Sequence, residues 1–213
     1  MKKISTLFLL LLFSLGFAQT YEFDFLTKYT TENSKNKFIR DLVSYHNSDD
    51  FSYYLKLRKN DSDFSATLYD HQRNLAHNFS VLESKVGGEI QFQFLYINSS
   101  KLAKANDDKK YIYEFSEISA NNPKIISLKI YSSKKAKNPL YESTIKLEKA
   151  NKNLIPVFRS KWSHVYRKSN PFSELGNYIV SESLEKYKNF TCEIKLKEYK
   201  TVDLKITLPK ELK

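Results

Sequence analysis

The stretch from Phe190 to Leu208 alternates between apolar and polar residues, and it constrains the fold more than any other part of the chain. Its apolar positions are Phe190, Cys192, Ile194, Leu196, Val202, Leu204, Ile206 and Leu208. A period of two is typical of a β-strand with one buried face and one face in water. Because the alternation pauses at Tyr199 and Lys200, we interpret the stretch as a C-terminal pair of strands.

The alternation also predicts how this pair is oriented. Four aliphatic side chains should face one core: Ile194, Leu196, Leu204 and Ile206. The lysines between them should lie in water: Lys195, Lys197 and Lys205. A slip of one residue would exchange the two sets, and burying an unpaired lysine costs several kcal/mol. We therefore expect a firmly fixed register.

Residues 1–18 have the features of a secretory signal peptide. Two lysines precede an apolar run, and Gly16 and Ala18 are the small residues that a signal peptidase needs. The run is shorter than the roughly 20 residues that span a bilayer. The sequence therefore predicts export to the periplasm or the cell exterior, with cleavage between Ala18 and Gln19 and one mature domain over residues 19–213.

Cys192 is the single cysteine, so no internal disulfide can form. It lies on the apolar face of its stretch, where a small buried hydrophobic residue is the expected role. No cysteine lies near the predicted cleavage site, which argues against an acylated lipoprotein. The fold must therefore depend on its core alone, and about 195 residues suffice for one domain with a sizeable core.

The chain is basic, with 35 Lys+Arg against 24 Asp+Glu and a net charge of +11. Nearly all of the base is lysine, and arginine occurs only at Arg40, Arg58, Arg73, Arg159 and Arg167. Specific phosphate recognition favours the guanidinium fork of arginine. We therefore expect no specific nucleic-acid partner, whereas an anionic component of the cell envelope is a candidate partner.

The same alternation recurs along the mature chain, with turn residues about every 11 to 13 residues. Strand signals fall at residues 21–29, 51–57, 64–68, 75–81, 90–96, 111–115, 126–130, 141–147, 161–166 and 178–180. Residues 30–37 and 98–110 lack a core pattern, residues 35–46 fit a helix or a strand, and residues 171–176 fit a short helix. The predicted fold is all-β, or β-rich with one or two short helices. Nine to twelve strands would form a single curved antiparallel meander sheet, either a half-barrel or a sandwich.

No motif in the sequence carries recognisable chemistry. Asp70, His71 and His77 come closest to a metal cluster, but zinc needs three or four converging ligands. There is no Gly-x-Ser-x-Gly elbow and no phosphate-binding glycine loop. We therefore expect no metal, no cofactor and no enzyme, although catalytic residues need not be adjacent in sequence.

Aromatic residues are the most suggestive feature, since six of them fall on consecutive predicted strands. They are Phe92, Phe94, Tyr96, Tyr111, Tyr113 and Phe115. Facing inward, they could line a groove for an acyl chain or another apolar ligand. The alternative is that they form the ordinary core of a sheet with few helices.

The signal peptide, the aromatic-rich meander and the ending from Tyr199 to Pro209 resemble the half-barrels of the periplasmic lipoprotein-carrier (LolA-type) group. The resemblance implies a curved antiparallel sheet, covered by helices, that holds lipid, but it assigns no functional residues. We therefore expect an exported, monomeric, non-enzymatic envelope protein with an apolar or lipid-like ligand in a curved sheet. The alternative is an envelope-associated structural or adhesive protein without a small-molecule site.

Overall fold

The computed structural model describes residues 19–60, 63–102, 111–121, 123–161 and 175–210. These residues form eleven strands and one 3₁₀ helix. The strands are β1 Thr20–Asn33, β2 Ile39–His46, β3 Tyr53–Lys59, β4 Phe64–Asp70, β5 Leu75–Val86, β6 Glu89–Lys101, β7 Ile112–Ser119, β8 Lys124–Tyr131, β9 Tyr141–Lys149, β10 Tyr178–Lys186 and β11 Thr191–Thr207. The 3₁₀ helix, Ile155–Ser160, follows β9. Among the described residues, no helix has the length and hydropathy needed to cross a membrane.

All eleven strands belong to one antiparallel sheet in the order β6-β5-β4-β3-β2-β1-β11-β10-β9-β8-β7. The predicted all-β fold and single antiparallel sheet are therefore confirmed. The sheet consists of two meanders instead of one. We call β2–β6 the N-terminal wing and β7–β10 the C-terminal wing; β1 and β11 pair between them.

The two edge strands, β6 and β7, follow each other in the chain but do not pair, so the sheet is not closed into a barrel. A flat sheet of this strand order would separate its edges by roughly 48 Å. The chain between Lys101, which ends β6, and Ile112, which begins β7, can span at most about 40 Å. The sheet must therefore curve, as the sequence predicted.

Each wing has its own core. In the N-terminal wing, Leu55, Leu68 and Phe79 are fully buried or nearly so, and they pack in one cluster with Tyr21 and Phe23 of β1. In the C-terminal wing, the aliphatic side chains are covered by the 3₁₀ helix. That core includes Leu128, Ile145, Leu147, Ile155, Phe158 and also Tyr29 of β1.

Strand β1 contributes to both cores because its alternation is interrupted. Phe25, Leu26 and Thr27 are all buried, and the register with β11 shifts between Phe23 and Phe25. Such a bulge changes which side chains point to each face. Leu26 consequently packs in the N-terminal core, whereas Phe25 packs in a small separate cluster beside the 3₁₀ helix.

The expectation of two C-terminal strands is wrong, because the structure has the single strand β11 there. It is one strand of 17 residues, without a turn at Tyr199 and Lys200, because it lies in the middle of the sheet beside the long strand β1. Its apolar residues also serve two cores: Ile194 belongs to the C-terminal core, and Ile206 belongs to the N-terminal core. The prediction of one shared core is therefore wrong.

The lysines of β11 lie largely as predicted. Lys197 and Lys205 are exposed, whereas Lys195 is half-exposed and pairs with Glu193 at 2.8 Å. The alternation thus predicted the solvent-exposed face of the strand correctly.

The structure also decides between the two alternatives for one stretch. Residues 35–46 contain a strand, β2, so the helical alternative is wrong. The predicted loop at residues 30–37 is shorter than expected, because β1 continues to Asn33 and Lys37 ends the turn with a left-handed φ of 52°. The predicted strand at residues 161–166 and helix at residues 171–176 fall almost entirely outside the described residues.

Candidate functional site

A cleft opens in the N-terminal wing where β2 and β3 separate. Their ladder ends at the pair of Val43 and Leu57. Beyond it, residues 39–42 stay paired with β1, and Arg58 and Lys59 stay paired with β4, so the two strands diverge. The resulting cavity has a volume of about 770 Å³ and is lined by residues 38–42 and 56–60.

Positive charge dominates the walls of this cleft. Its cationic side chains are Arg40, Lys56, Arg58 and Lys59, and its single acid among the lining residues is Asp41. The carboxylate of Asp41 is engaged by Lys28, with Nζ 2.9 Å from Oδ2. Burial lowers the pKa of Lys56, and the charges of Arg58 and Arg40 lower it further. The cations therefore repel one another, and a bound anion would relieve that repulsion.

An apolar patch adjoins the cationic walls. Phe38 is 55% exposed and Ile39 is 63% exposed, although both are large hydrophobic residues. The guanidinium of Arg40 lies over the Phe38 ring, 5.4 Å from its centroid. The cleft therefore offers charge and apolar surface side by side.

Lys161 binds β2 where the ladder of that strand with β3 ends. Its Nζ donates to the carbonyl of Leu42 at 3.1 Å and to Ser44 Oγ at 2.9 Å. It also lies 5.3 Å from the centroid of the Tyr29 ring. Burial, and to a lesser degree the charge of Lys56, lowers the pKa of Lys161 well below its ordinary value. The amine therefore acts as a donor to both groups on β2.

His46 lies in the same buried region. Its Nε2 shares a hydrogen bond of 3.3 Å with Thr27 Oγ1. Burial, followed by the charge of Lys161, lowers the pKa of His46 well below its ordinary value. The imidazole of His46 is therefore neutral at pH 7.

The first three of the predicted ligand-binding aromatic residues lie on edge strand β6, half-buried against the N-terminal core. Phe92 packs on Phe64 at 5.4 Å between centroids, and Phe94 meets Tyr45 at 6.3 Å. Tyr96 meets Phe79 at 6.0 Å. These contacts are those of ordinary core packing.

The other three lie at the opposite edge of the sheet. Tyr111 packs against the C-terminal core, whereas Tyr113 and Phe115 of β7 are 36% and 37% exposed. Phe115 borders a small cavity of about 110 Å³. β6 and β7 are consecutive in the chain, but they are opposite edges of the sheet, so the two groups of three residues do not lie on hydrogen-bonded neighbours. That they bind an apolar ligand stays a prediction.

The Asp70, His71 and His77 group is divided by the fold. Asp70 and His77 are buried, and both contact the hydroxyl of Tyr21, whereas the backbone N–H of His71 donates to the carbonyl of Ser52. Within the described residues, no group of three or more His, Cys, Asp or Glu side chains is placed to hold a metal ion.

Cys192 is half-buried against the C-terminal core, and its Sγ lies 2.9 Å from Thr31 Oγ1. Burial raises the pKa of its thiol. The thiol is therefore protonated at neutral pH and is a poor nucleophile.

The sequence contains one signal for the cleft. Lys56 and Arg58 are separated by one residue on β3, which places both cations on the same face of the strand. The divergence of β2 from β3 depends on long-range pairing and has no local signal.

Comparison with models of known protein families finds no match, and a search of curated proteins finds no significantly similar sequence. Functional inference therefore rests on the geometry and charge of the cleft.

Proposed function

We propose that this chain is an exported binding protein of the cell envelope, and that it binds an amphiphile with an anionic head group in the cleft between β2 and β3. The observation that carries the proposal is the cluster of Arg40, Lys56, Arg58 and Lys59 beside exposed apolar side chains. The anionic head group corresponds to the partner that the basic composition suggested.

The cationic walls favour an anion for two reasons. Three of the cations interact closely enough that Arg58 and Arg40 lower the pKa of Lys56. A negative head group replaces that repulsion with attraction, and the two arginines can donate paired hydrogen bonds to phosphate or carboxylate oxygens.

The apolar part of the ligand is suggested by Phe38 and Ile39. Exposed large apolar residues at the rim of a cavity are typical of a binding surface. The volume of about 770 Å³ falls within the range of ordinary small-molecule sites. An alkyl tail lying against this patch would lose its contact with water while the head group stays among the cations.

Two expectations from the sequence support the cellular setting. The predicted signal peptide at residues 1–18 implies export, and the resemblance to LolA-type carriers implies a curved sheet that holds lipid. The site proposed here differs from the aromatic groove that the sequence suggested, because it lies where two strands separate.

Isothermal titration calorimetry with three probes separates the contributions of head and tail. Dodecyl phosphate carries both parts, dodecyl maltoside carries the tail alone, and inorganic phosphate carries the charge alone. We expect dodecyl phosphate, used below its micelle concentration, to bind at least about tenfold more tightly than either other probe. Equal affinity for the phosphate and maltoside detergents would contradict an anion site.

A matched pair of variants locates the binding. The double substitution Lys56→Gln with Arg58→Gln removes two charges from the cleft, and we expect it to weaken dodecyl phosphate binding about tenfold. Lys134→Gln with Lys135→Gln removes the same charge from the exposed turn between β8 and β9. This control should bind as the wild type does, and a similar loss in both variants would indicate a non-specific charge effect.

The alternative of an adhesive protein is favoured by the edges of the sheet. Leu95 and Ile97 on β6 and Ile118 on β7 are large apolar residues that are exposed on edge strands. Exposed apolar edges are sites where another chain can pair. Retention on an immobilised envelope fraction tests this alternative. It would be favoured over the cleft if Leu95→Lys with Ile97→Lys abolishes retention while the Lys56 and Arg58 double variant is still retained.

A further inference from the structure

A chain of hydrogen-bonded side chains runs through the N-terminal wing, away from the cleft. The Tyr96 hydroxyl lies 2.8 Å from Ser99 Oγ, and Ser99 Oγ lies 2.6 Å from His77 Nδ1. His77 Nε2 lies 3.3 Å from the Tyr21 hydroxyl, which donates to Asp70 Oδ2 at 2.7 Å. The five side chains come from four strands, so the arrangement is a product of the fold.

The carboxylate of Asp70 sets the direction of every proton in this chain. Burial alone would raise the pKa of Asp70, but hydrogen bonds from Arg73 and Tyr21 outweigh it and lower that pKa. Because the carboxylate only accepts, Tyr21 must donate to it, and the Tyr21 oxygen is then free to accept from His77 Nε2–H. His77 Nδ1 is left with its lone pair directed at the Ser99 hydroxyl.

A bulge in β6 makes this geometry possible. The register between β5 and β6 shifts from the pair of Asn78 and Asn98 to the pair of Phe79 and Tyr96, which leaves Ile97 as an extra residue. In a regular strand, residues 96 and 99 would point to opposite faces. The bulge places both hydroxyls beside His77, and bulges of this kind are frequent next to active sites.

Burial separates the base from water but leaves the hydroxyl near the surface. His77 is 0% exposed and Asp70 is 1% exposed, whereas Ser99 is half-buried on an edge strand. Burial lowers the pKa of His77, and although Asp70 opposes that shift, Arg73 adds to it. The imidazole is therefore neutral near pH 7 and able to accept a proton.

We propose that Ser99 is a nucleophile activated by His77, and that the substrate class is a carboxylic ester. This activity goes beyond the binding function proposed above and does not depend on it. Ser99 and His77 would be the catalytic residues. Tyr21 and Asp70 would be positioning residues, because they act through the imidazole.

The reaction balances without any additional reactant except water. Ser99 Oγ bonds to the carbonyl carbon as its proton passes to His77 Nδ1, and the C=O π electrons move to the carbonyl oxygen, which becomes a tetrahedral oxyanion that re-forms the C=O bond in the next step. The hydrogen bond with Tyr96 orients Oγ for this attack. The C–O bond to the alcohol then breaks, and His77 returns the proton to the leaving oxygen. Water attacks the acyl-Ser99 in the same way, and the carboxylic acid leaves as Ser99 regains its proton.

Labelling with an alkyl fluorophosphonate tests the proposal, because such a probe phosphonylates activated serines. We expect peptide mass spectrometry of the folded full chain to find the adduct on Ser99. Ser99→Ala should abolish it, whereas Ser100→Ala, which changes the exposed neighbour on the same strand, should not affect the labelling rate. An unlabelled wild type, or an adduct that survives Ser99→Ala, would overturn the proposal.

Rates of labelling distinguish activation from a merely structural hydrogen bond. His77→Gln should slow labelling by about 100-fold. Tyr21→Phe keeps the ring but breaks the link to Asp70, so it should slow labelling and change its pH dependence.

In the wild type the rate should rise with pH and level off above a midpoint below 6.5, the ordinary pKa of histidine. The charged or titratable groups placed around His77 are Asp70, Arg73, Tyr21 and Tyr96.

The pH profile of the wild type keeps the test decisive even where a variant fails to fold. A labelling rate that follows hydroxide concentration alone, without a plateau, would show that no histidine assists and would overturn the proposal. Thermal unfolding of each variant identifies those whose rates can be compared.

Discussion

The two wings of the sheet are built from similar antiparallel strands, yet they bury different chemistry. In the C-terminal wing, the core is largely aliphatic and is covered by the 3₁₀ helix. Two of its buried hydroxyls, those of Ser143 and Ser183, share a hydrogen bond of 2.9 Å. In the N-terminal wing, His46, Asp70 and His77 are buried among aromatic rings. Both candidate sites lie there.

The comparison of the two cores shows how a sheet can bury polar groups without a covering helix. A tyrosine ring packs as an apolar residue, while its hydroxyl remains available as a donor or acceptor. Tyr21 illustrates this, because its ring packs against Tyr53 while its hydroxyl serves Asp70 and His77. Aromatic packing in the N-terminal wing therefore supports its polar groups. The C-terminal wing shows a comparable case, in which the Tyr187 hydroxyl donates to the buried carboxylate of Glu185 at 2.8 Å.

The largest effect should follow from truncation of the chain after Tyr199. The missing part of β11 pairs with the first half of β1 and supplies Ile206 and Leu208 to the N-terminal core, but not to the C-terminal core. We expect a loss of cooperative unfolding in urea, because the strand that joins the wings would be incomplete and β1 would become a bare edge. A control chain that ends at Pro209 should unfold as the wild type does. Cooperative unfolding of the shorter chain at the wild-type midpoint would contradict the central position of β11.

Matched leucines test whether the two cores are energetically separate. Leu68 in the N-terminal core and Leu147 in the C-terminal core are both fully buried. Each substitution to alanine should lower the free energy of unfolding by about 2–5 kcal/mol. Because the residues belong to different clusters, the double variant should equal the sum within about 0.5 kcal/mol. A larger deviation in urea titrations would show that the wings share one core.

The buried histidines should make the N-terminal wing sensitive to acid. The pKa values of His46 and His77 are both lowered, so below pH 6.5 the unfolded chain takes up protons that the folded chain does not. Stability should be greatest above that pH and should fall as the pH decreases, with a limiting slope of about 1.4 kcal/mol per pH unit for each histidine.

Urea titrations between pH 7.5 and pH 5 measure that slope. His46→Gln should reduce it by the contribution of one histidine, whatever the substitution does to stability at pH 7.5. An unchanged slope would show that His46 titrates normally in the folded protein.

Local alternation was enough to predict most strands, because each strand hides one face and exposes the other. It could not predict the pairing of β1 with β11 or the gap between β6 and β7, since pairing between distant segments leaves no local signal. Polar residues at the middle of β11 interrupted its pattern, and the sequence therefore suggested two strands where there is one. Tyr199 and Lys200 are exposed there, but they continue the ladder with β1.

The candidate sites were harder to predict than the strands. The cleft depends on where the β2–β3 ladder ends, which is decided by pairing with β1 and β4 on either side. Ser99 fell in a stretch without a core pattern, and its partner His77 lies 22 residues earlier in the chain. The bulge in β6 brings them together, and no residue type in the sequence indicates that bulge.

The smallest effect concerns the single acid that lines the cleft. Asp41 neutralises part of the positive potential, even though Lys28 already pairs with it. Asp41→Asn should tighten the binding of dodecyl phosphate about threefold at low salt, which is the Coulomb contribution of one charge about 6 Å away in a water-like dielectric. The gain should largely disappear at 1 M salt, where the Debye length is only about 3 Å. Asp203→Asn, an exposed change on β11 with the same change in net charge, provides the control in the same calorimetric titration. If both substitutions tighten binding equally, the net charge of the protein and not the cleft attracts the anion.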